Sequence, residues 1–92
     1  MIRSFRCKET GQLAAGVRVR RFVAIERVAR RKLAQLDAAA TLDFLRVPPG
    51  NRLEALQGDR AGQYSIRIND RWRLRFRFVD GDVHDAEIVD YH

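Results

Sequence analysis

The sequence predicts an α+β fold in which N-terminal helices pack against a small, twisted antiparallel sheet. Three observations lead to this prediction. Apolar residues in the first half recur at spacings of three and four, the period of an amphipathic helix. In the second half they alternate with polar residues, as in a half-buried strand. A break with two consecutive prolines separates the halves, and 92 residues suffice for one core, so we assign residues 1–92 to a single domain.

Charge and composition narrow the classes of partner and compartment. The formal net charge of +6 favours encounter with polyanions such as nucleic acid or the ribosome. The lone Cys7 excludes an internal disulfide and fits a reducing compartment. No apolar run approaches the roughly 18 residues of a membrane span, and residues 1–6 lack the apolar region of a signal peptide. We therefore expect a cytoplasmic protein without membrane contact.

The first half of the chain contains three shorter predicted elements. Residues 2–6 alternate between apolar and polar and indicate a short strand. Residues 8–15 suit a short helix, which Gly16 would end. Residues 41–45 add one helical turn. Pro48 and Pro49 then break regular structure, because proline lacks a backbone donor and restricts the residue before it.

A longer helix is predicted over residues 22–38. Its apolar stripe comprises Phe22, Ile25, Ala29, Leu33 and Leu36. A basic group lies mostly away from that stripe: Arg27, Arg30, Arg31 and Lys32. We expect this group to form a solvated face, with contact to phosphate as the alternative.

The second half predicts three strands joined by two tight turns. The first strand alternates around Ile66, the second runs from Trp72 to Phe78, and residues 82–91 form the last. An odd-length loop over residues 69–71 keeps the apolar faces together, because Ile66 then opposes Leu74. The same register places Arg67 opposite Arg73. Like charges opposed in this way destabilise a sheet, so we predict that an anion binds above this pair.

The following hairpin favours a structural interpretation of the other arginines. A three-residue loop over residues 79–81 would place glycine where a left-handed residue is needed. Arg75 would then face Asp85, and Arg73 would face Glu87. Such cross-strand ion pairs are each worth roughly 0.2–1 kcal/mol.

The chain ends in Asp90, Tyr91 and His92. Histidine changes charge near neutral pH, and metal-independent RNA cleavage requires a base, an acid and cations around the phosphate. These three residues and nearby arginines supply such groups, although a solvated terminal histidine is the alternative. The spacing of His84, His92 and Cys7 does not match a zinc site, so we predict neither metal nor cofactor.

Two stretches resemble the HigB toxins. Residues 51–76 resemble that family's core signature, and residues 87–92 resemble its terminal motif: NRLEALQGDRAGQYSIRINDRWRLRF and EIVDYH. The resemblance implies the RelE-like fold of the RelE/ParE superfamily and ribosome-dependent cleavage of messenger RNA. It also implies a HigA-type helix-turn-helix antitoxin, so that DNA is reached only through the antitoxin complex.

The resemblance also implies roles for particular residues. His92 would be the acid/base group, Asp90 and Tyr91 would aid orientation or proton transfer, and Arg73 would contact the phosphate. Weaker candidates for contacts to RNA or the ribosome are Arg52, Arg60 and Arg67.

This sequence departs from the family pattern at two positions. Glu54 stands where some HigB toxins have histidine, and Gln57 stands where some have lysine. Glu54 is either a base for the 2'-hydroxyl or a surface carboxylate paired with an arginine. Two other functions remain open: a ParE-like poison of DNA gyrase, and a non-catalytic module that binds the ribosome or RNA.

Overall fold

The computed structural model describes residues 1–60 and 62–91, without the side chains of Pro49 and Arg60. Three α-helices precede a four-stranded antiparallel sheet with strand order β1-β2-β3-β4. The helices are α1 (Lys8–Ala14), α2 (Glu26–Ala38) and α3 (Leu42–Arg46). The strands are β1 (Glu54–Ala55), β2 (Gln63–Arg67), β3 (Trp72–Val79) and β4 (Asp82–Asp90).

The helices and one face of the sheet share a hydrophobic core, as the two periodicities predict. The predicted stripe is buried at every position, with exposed fractions of 0–6%. It packs with strand residues that are also buried: Ile66, Leu74, Phe76, Val83 and Ile88. Removing these side chains from water is the main force that holds the two layers together. The assignment of residues 1–92 to a single domain stays a prediction.

The helical half follows the sequence with two differences. Residues 20–25 form a 3-10 helix before α2 begins at Glu26, where we predicted one continuous helix. The segment around Ile2 and Phe5 makes two isolated parallel bridges to β4 instead of a strand. Helix α1 and the short helix α3 lie within one residue of their predicted bounds. Thr41 is the N-cap of α3, and its hydroxyl accepts a hydrogen bond from the Phe44 amide.

One residue of the expected basic face is buried. Lys32 is only 7% exposed, in contrast to the exposed Arg27 and Arg31. Helical spacing explains the error, because Lys32 follows Ala29 by three residues and precedes Leu36 by four. It therefore lies on the edge of the apolar stripe.

The register between β2 and β3 is confirmed. Ile66 pairs with Leu74, and Arg67 pairs with Arg73. The Ile68 amide donates to the Trp72 carbonyl at 2.9 Å, which closes the loop as expected.

The register between β3 and β4 was predicted wrongly. The loop contains two residues, Asp80 and Gly81, with φ of 50° and 81°. These angles fit the type I′ turn that Asp-Gly favours. A β-bulge then follows at Asp85, whose φ is 55°. Arg75 consequently pairs with Glu87 instead of Asp85, and Arg73 pairs with Val89 instead of Glu87. The Asp85 carboxylate binds Arg77.

Candidate RNA-binding groove

A polar groove of about 280 Å³ opens beside the first half of β3. Its walls come from β1 and the residue Arg52 before it, from the β2–β3 turn and from the residue that follows β4. Five predicted residues line it: Arg52, Glu54, Arg67, Arg73 and Tyr91. The turn residues Asn69 and Asp70 complete the wall. The structure therefore unites most of the predicted site in one depression.

Arg73 is the buried cation of this groove, with 8% of its surface exposed. Its Nε donates to the Ser65 hydroxyl at 2.9 Å, and its Nη2 donates to the Arg52 carbonyl at 2.7 Å. Nη2 also donates to the Ser65 carbonyl at 3.3 Å. A buried charge requires such partners. They fix the orientation of the guanidinium and place Nη1 at 3.9 Å from Glu54 Oε1, toward the groove.

Ser65 and the backbone of Arg52 were not predicted as parts of the site. Ser65 is fully buried on β2, two residues before Arg67 and on the same face of the strand. Arg52 has a φ of 45°, which lies in the left-handed region. Strand parity could have indicated Ser65 as a neighbour of the arginines. No sequence pattern indicates the carbonyl of Arg52, since its direction depends on that unusual backbone conformation.

The opposed arginines each have a carboxylate partner. Arg67 forms an ion pair with Asp70, and Arg73 lies near Glu54. Both carboxylates reach solvent, with side-chain exposures of 98% for Asp70 and 57% for Glu54. Exposed ion pairs contribute only about 0–1 kcal/mol. The like charges of Arg67 and Arg73 are thus neutralised by these two carboxylates, and each ion pair adds little to stability.

Tyr91 lies on the arginine face, as its strand parity predicts. Its ring centre is 6.0 Å from the guanidinium carbon of Arg73, at the limit for a cation–π contact. The Tyr91 amide donates to the Arg71 carbonyl at 2.6 Å. This bond continues the pairing of β3 and β4 by one residue and holds the tyrosine beside the groove.

Asp90 does not line the groove. Its carboxylate binds Arg71 through Nε at 2.9 Å and Nη2 at 2.7 Å. The hydrogen bond to Asp90 raises the pKa of the Arg71 guanidinium. A catalytic role for Asp90 stays a prediction. His92 and the side chain of Arg60, both named from the sequence, lie outside the described residues.

A buried polar cluster connects α2 to the groove. Asn51 is fully buried and donates to the Leu45 carbonyl at 3.0 Å and to Gln35 Oε1 at 3.1 Å. Its Oδ1 accepts a hydrogen bond from the ammonium group of Lys32. Burial lowers the pKa of Lys32, and the charges of Arg31 and Arg67 lower it further. Since Asn51 directly precedes Arg52, this cluster fixes the segment whose carbonyl anchors Arg73.

Other features of the described residues lie away from these groups. A larger cavity of about 520 Å³, mostly apolar, lies between the N-terminal segment, α1 and α2. Within residues 1–60 and 62–91, no three His, Cys, Asp or Glu side chains are grouped as metal ligands. None of the helices in this part of the chain is long and apolar enough to cross a bilayer.

Family and sequence comparisons agree with the resemblance. A protein family described as the RelE-like toxin of the type II toxin-antitoxin system HigB matches residues 18–92. The chain belongs to this HigB-like toxin family. Toxin HigB-1 of Vibrio cholerae is 53% identical over 57 residues, covering 62% of this chain and 60% of that protein. Endoribonuclease HigB of Proteus vulgaris is 42% identical over 41 residues, 45% of each chain.

The aligned regions span less than two thirds of both relatives. Among solved structures, a crystal structure of a YafQ mutant from E. coli has a TM-score of 0.65 at 14% identity. The match covers 98% of this chain and 91% of that one. At such low identity it shows the fold alone. Together with the family match, it confirms the predicted α+β arrangement of RelE type.

Proposed function

We propose that this chain is the toxin of a type II toxin–antitoxin pair and that it cleaves messenger RNA on the ribosome. The observation that carries the proposal is the groove in which the anchored cation of Arg73 faces Glu54 and Tyr91. Membership of the HigB-like family supports it. The name of the Proteus vulgaris relative, an endoribonuclease, supports the type of activity.

The proposed reaction is an internal transfer at phosphorus. The 2'-oxygen of the RNA attacks the neighbouring phosphorus, and the bond to the 5'-oxygen breaks. A base takes the proton of the 2'-hydroxyl, while an acid protonates the departing 5'-oxygen. The products are a 2',3'-cyclic phosphate and a 5'-hydroxyl. Negative charge grows on the phosphate oxygens in the transition state, where a fixed cation stabilises it.

Three residues of the groove, together with His92, supply these roles. Arg73 stabilises the transition state, because three hydrogen bonds fix its guanidinium before the substrate arrives. Glu54 serves as the base and His92 as the acid. Tyr91 orients the reacting groups beside Arg73, and no metal or other cofactor takes part in the proposed reaction.

The other predicted residues have supporting roles. Asp90 positions the end of the chain, since its ion pair with Arg71 fixes the last residue of β4. Arg52 and Arg67 line the groove and bind flanking phosphates. Arg60 is proposed as a further contact to RNA or the ribosome on the resemblance alone.

The proposal includes partners and location. The antitoxin is a HigA-type helix-turn-helix protein, and the complex reaches DNA only through it. The ribosome presents the messenger RNA, and the protein acts in the cytoplasm. The strongly basic charge of the chain favours a rapid encounter with the ribosome.

Cleavage of messenger RNA on programmed ribosomes tests the proposal. We compare the native chain with Arg73→Gln, and we use Arg77→Gln as the control because Arg77 lies beyond the groove in an exposed pair with Asp85. We expect Arg73→Gln to cut about 10²- to 10³-fold more slowly, whereas the control cuts at the native rate. Tyr91→Phe and His92→Ala, which leave Arg73 and its anchors in place, are expected to slow cleavage as well.

The alternative functions predict different outcomes. Equal cutting by native chain and Arg73→Gln would exclude the proposed role of the groove. DNA breaks that depend on gyrase, without RNA cleavage, would favour the ParE-like function. Binding to ribosomes with intact RNA would favour the non-catalytic function.

A further inference from the structure

Four arginines in one short segment have no partner among the described residues. Arg18, Arg20, Arg27 and Arg31 make no ion pair or side-chain hydrogen bond within residues 1–60 and 62–91. The sheet arginines differ, because each described one from Arg67 to Arg77 lies near a carboxylate. Between residues 10 and 36, Glu26 is the only acidic residue of the sequence. These four arginines therefore carry positive charge that no carboxylate among the described residues neutralises.

The local geometry exposes these charges to a ligand. A shallow cleft of about 490 Å³ is lined by Arg18, Arg27 and Arg30, together with Glu26 and Val23. The carboxylate of Glu26 is occupied by Arg30 at 2.8 Å. Arg27 and Arg31 are one turn apart and lie on the same face of α2. We call Arg18, Arg27 and Arg31 the arginine track.

The track lies close to the groove. Lys32, which follows Arg31 on α2, donates a hydrogen bond to Asn51, and Asn51 directly precedes Arg52 of the groove. The charges of Arg31 and Arg67 both lower the pKa of Lys32, so both cations lie near it. Like charges near one another repel, and an extended polyanion lying over the exposed arginines would relieve that repulsion. A chain of phosphates has this form, whereas a small anion would reach only one end.

We propose that the arginine track binds the sugar-phosphate backbone of the same RNA strand that the groove cleaves, beyond the cleaved nucleotide. This inference rests on the function proposed above. One guanidinium group can donate two parallel hydrogen bonds to two oxygens of a phosphate. The aromatic ring of the segment, Phe22, is fully buried and offers no surface on which a base can stack. Binding at the track is therefore independent of base sequence.

The double variant Arg27→Gln/Arg31→Gln tests the track. Glutamine is a good helix former, so α2 should be preserved, and thermal melting checks this. Arg3→Gln/Arg77→Gln removes the same charge from exposed ion pairs with Asp82 and Asp85, and serves as the control. Each protein is titrated with fluorescent single-stranded RNAs of about four and about 16 nucleotides at several salt concentrations.

The expected result is a change in the salt dependence of binding. Each phosphate contact on a single strand contributes about 0.7 to the slope of log affinity against log salt. Loss of two contacts should reduce the slope for the longer RNA by about 1.4. The shorter RNA fills only the groove, so its slope should not change. The control should behave as the native chain does with both RNAs.

Several results would contradict the proposal that the arginine track binds RNA. One is an unchanged slope for the longer RNA in the double variant, and another is equal affinity of the native chain for both RNAs. A defect that appears only with ribosomes would instead assign the arginines to the ribosome. If the native chain still cuts on programmed ribosomes in any of these cases, the proposed function stands without the track. If it neither cuts nor binds, both proposals fall.

Discussion

Replacing Ser65 with alanine removes the hydroxyl that accepts the hydrogen bond from Arg73 Nε. Ser65 is fully buried, and the bond measures 2.9 Å. The guanidinium keeps its bonds from Nη2 to the carbonyls of Arg52 and Ser65, because the substitution does not alter these backbone acceptors. The variant therefore removes one of the three hydrogen bonds of the Arg73 guanidinium and leaves its charge unchanged.

The magnitude follows from the burial of this bond. A hydrogen bond to a charged group contributes about 1.5–3 kcal/mol. Arg73 is only 8% exposed, so water can replace the lost acceptor poorly. We expect the free energy of unfolding of Ser65→Ala to fall by about 2 kcal/mol. A less rigid cation also stabilises the transition state less well, and we expect cleavage to slow by about tenfold.

Urea denaturation and cleavage on programmed ribosomes measure these two effects. Ser4→Ala is the control, since the Ser4 hydroxyl accepts from the Asp85 amide at 2.9 Å, away from the groove. That control should lose about 1 kcal/mol and keep its activity. The reasoning would be refuted if Ser65→Ala matched Ser4→Ala in stability and cut at the native rate.

Three further predictions concern stability. Asn51→Ala should lower the free energy of unfolding by about 3 kcal/mol in urea denaturation, because it removes three side-chain hydrogen bonds, two of which are buried; a loss below about 1 kcal/mol would contradict this. Lys32 has a lowered pKa in the fold, so its contribution to stability should rise with pH toward its ordinary value of 10.5, and Lys32→Met should lack this rise. Arg77 lowers the pKa of Asp85, a contribution present above pH 3.8 and lost as the pH falls below it. Arg77→Gln should therefore weaken the acid-induced loss of stability, and identical acid denaturation curves would exclude this.

Much of the fold was predictable from the sequence, because the alternation of apolar and polar residues shows which side chains face the core. The pairing of Ile66 with Leu74 follows from the requirement that apolar side chains share one side of the sheet. The β3–β4 register was not predictable in this way. The two-residue turn moves the residues of β4 by one position relative to β3, which would exchange their two faces. The bulge at Asp85 adds one more position and restores the faces. Side-chain alternation cannot separate that combination from a three-residue turn without a bulge.

The site was predictable where it depends on strand parity. Arg67, Arg73 and Tyr91 share a face because of their positions along the strands, and the structure brings them to one groove. The anchors of Arg73 depend instead on a left-handed residue and on buried polar contacts between distant segments. Asn51 is such a contact, since it joins α2 to the loop before β1. Local sequence patterns do not specify contacts between residues that lie so far apart in the chain.

The identity of the newly formed RNA ends tests the proposed chemistry most directly. A messenger RNA with a single 2'-deoxy nucleotide at the mapped cut is placed on programmed ribosomes beside the unmodified RNA. Attack by the 2'-oxygen predicts a 2',3'-cyclic phosphate and a 5'-hydroxyl from the unmodified RNA, and no cut at the modified position. Cleavage at the 2'-deoxy nucleotide, or products with a 5'-phosphate, would contradict it.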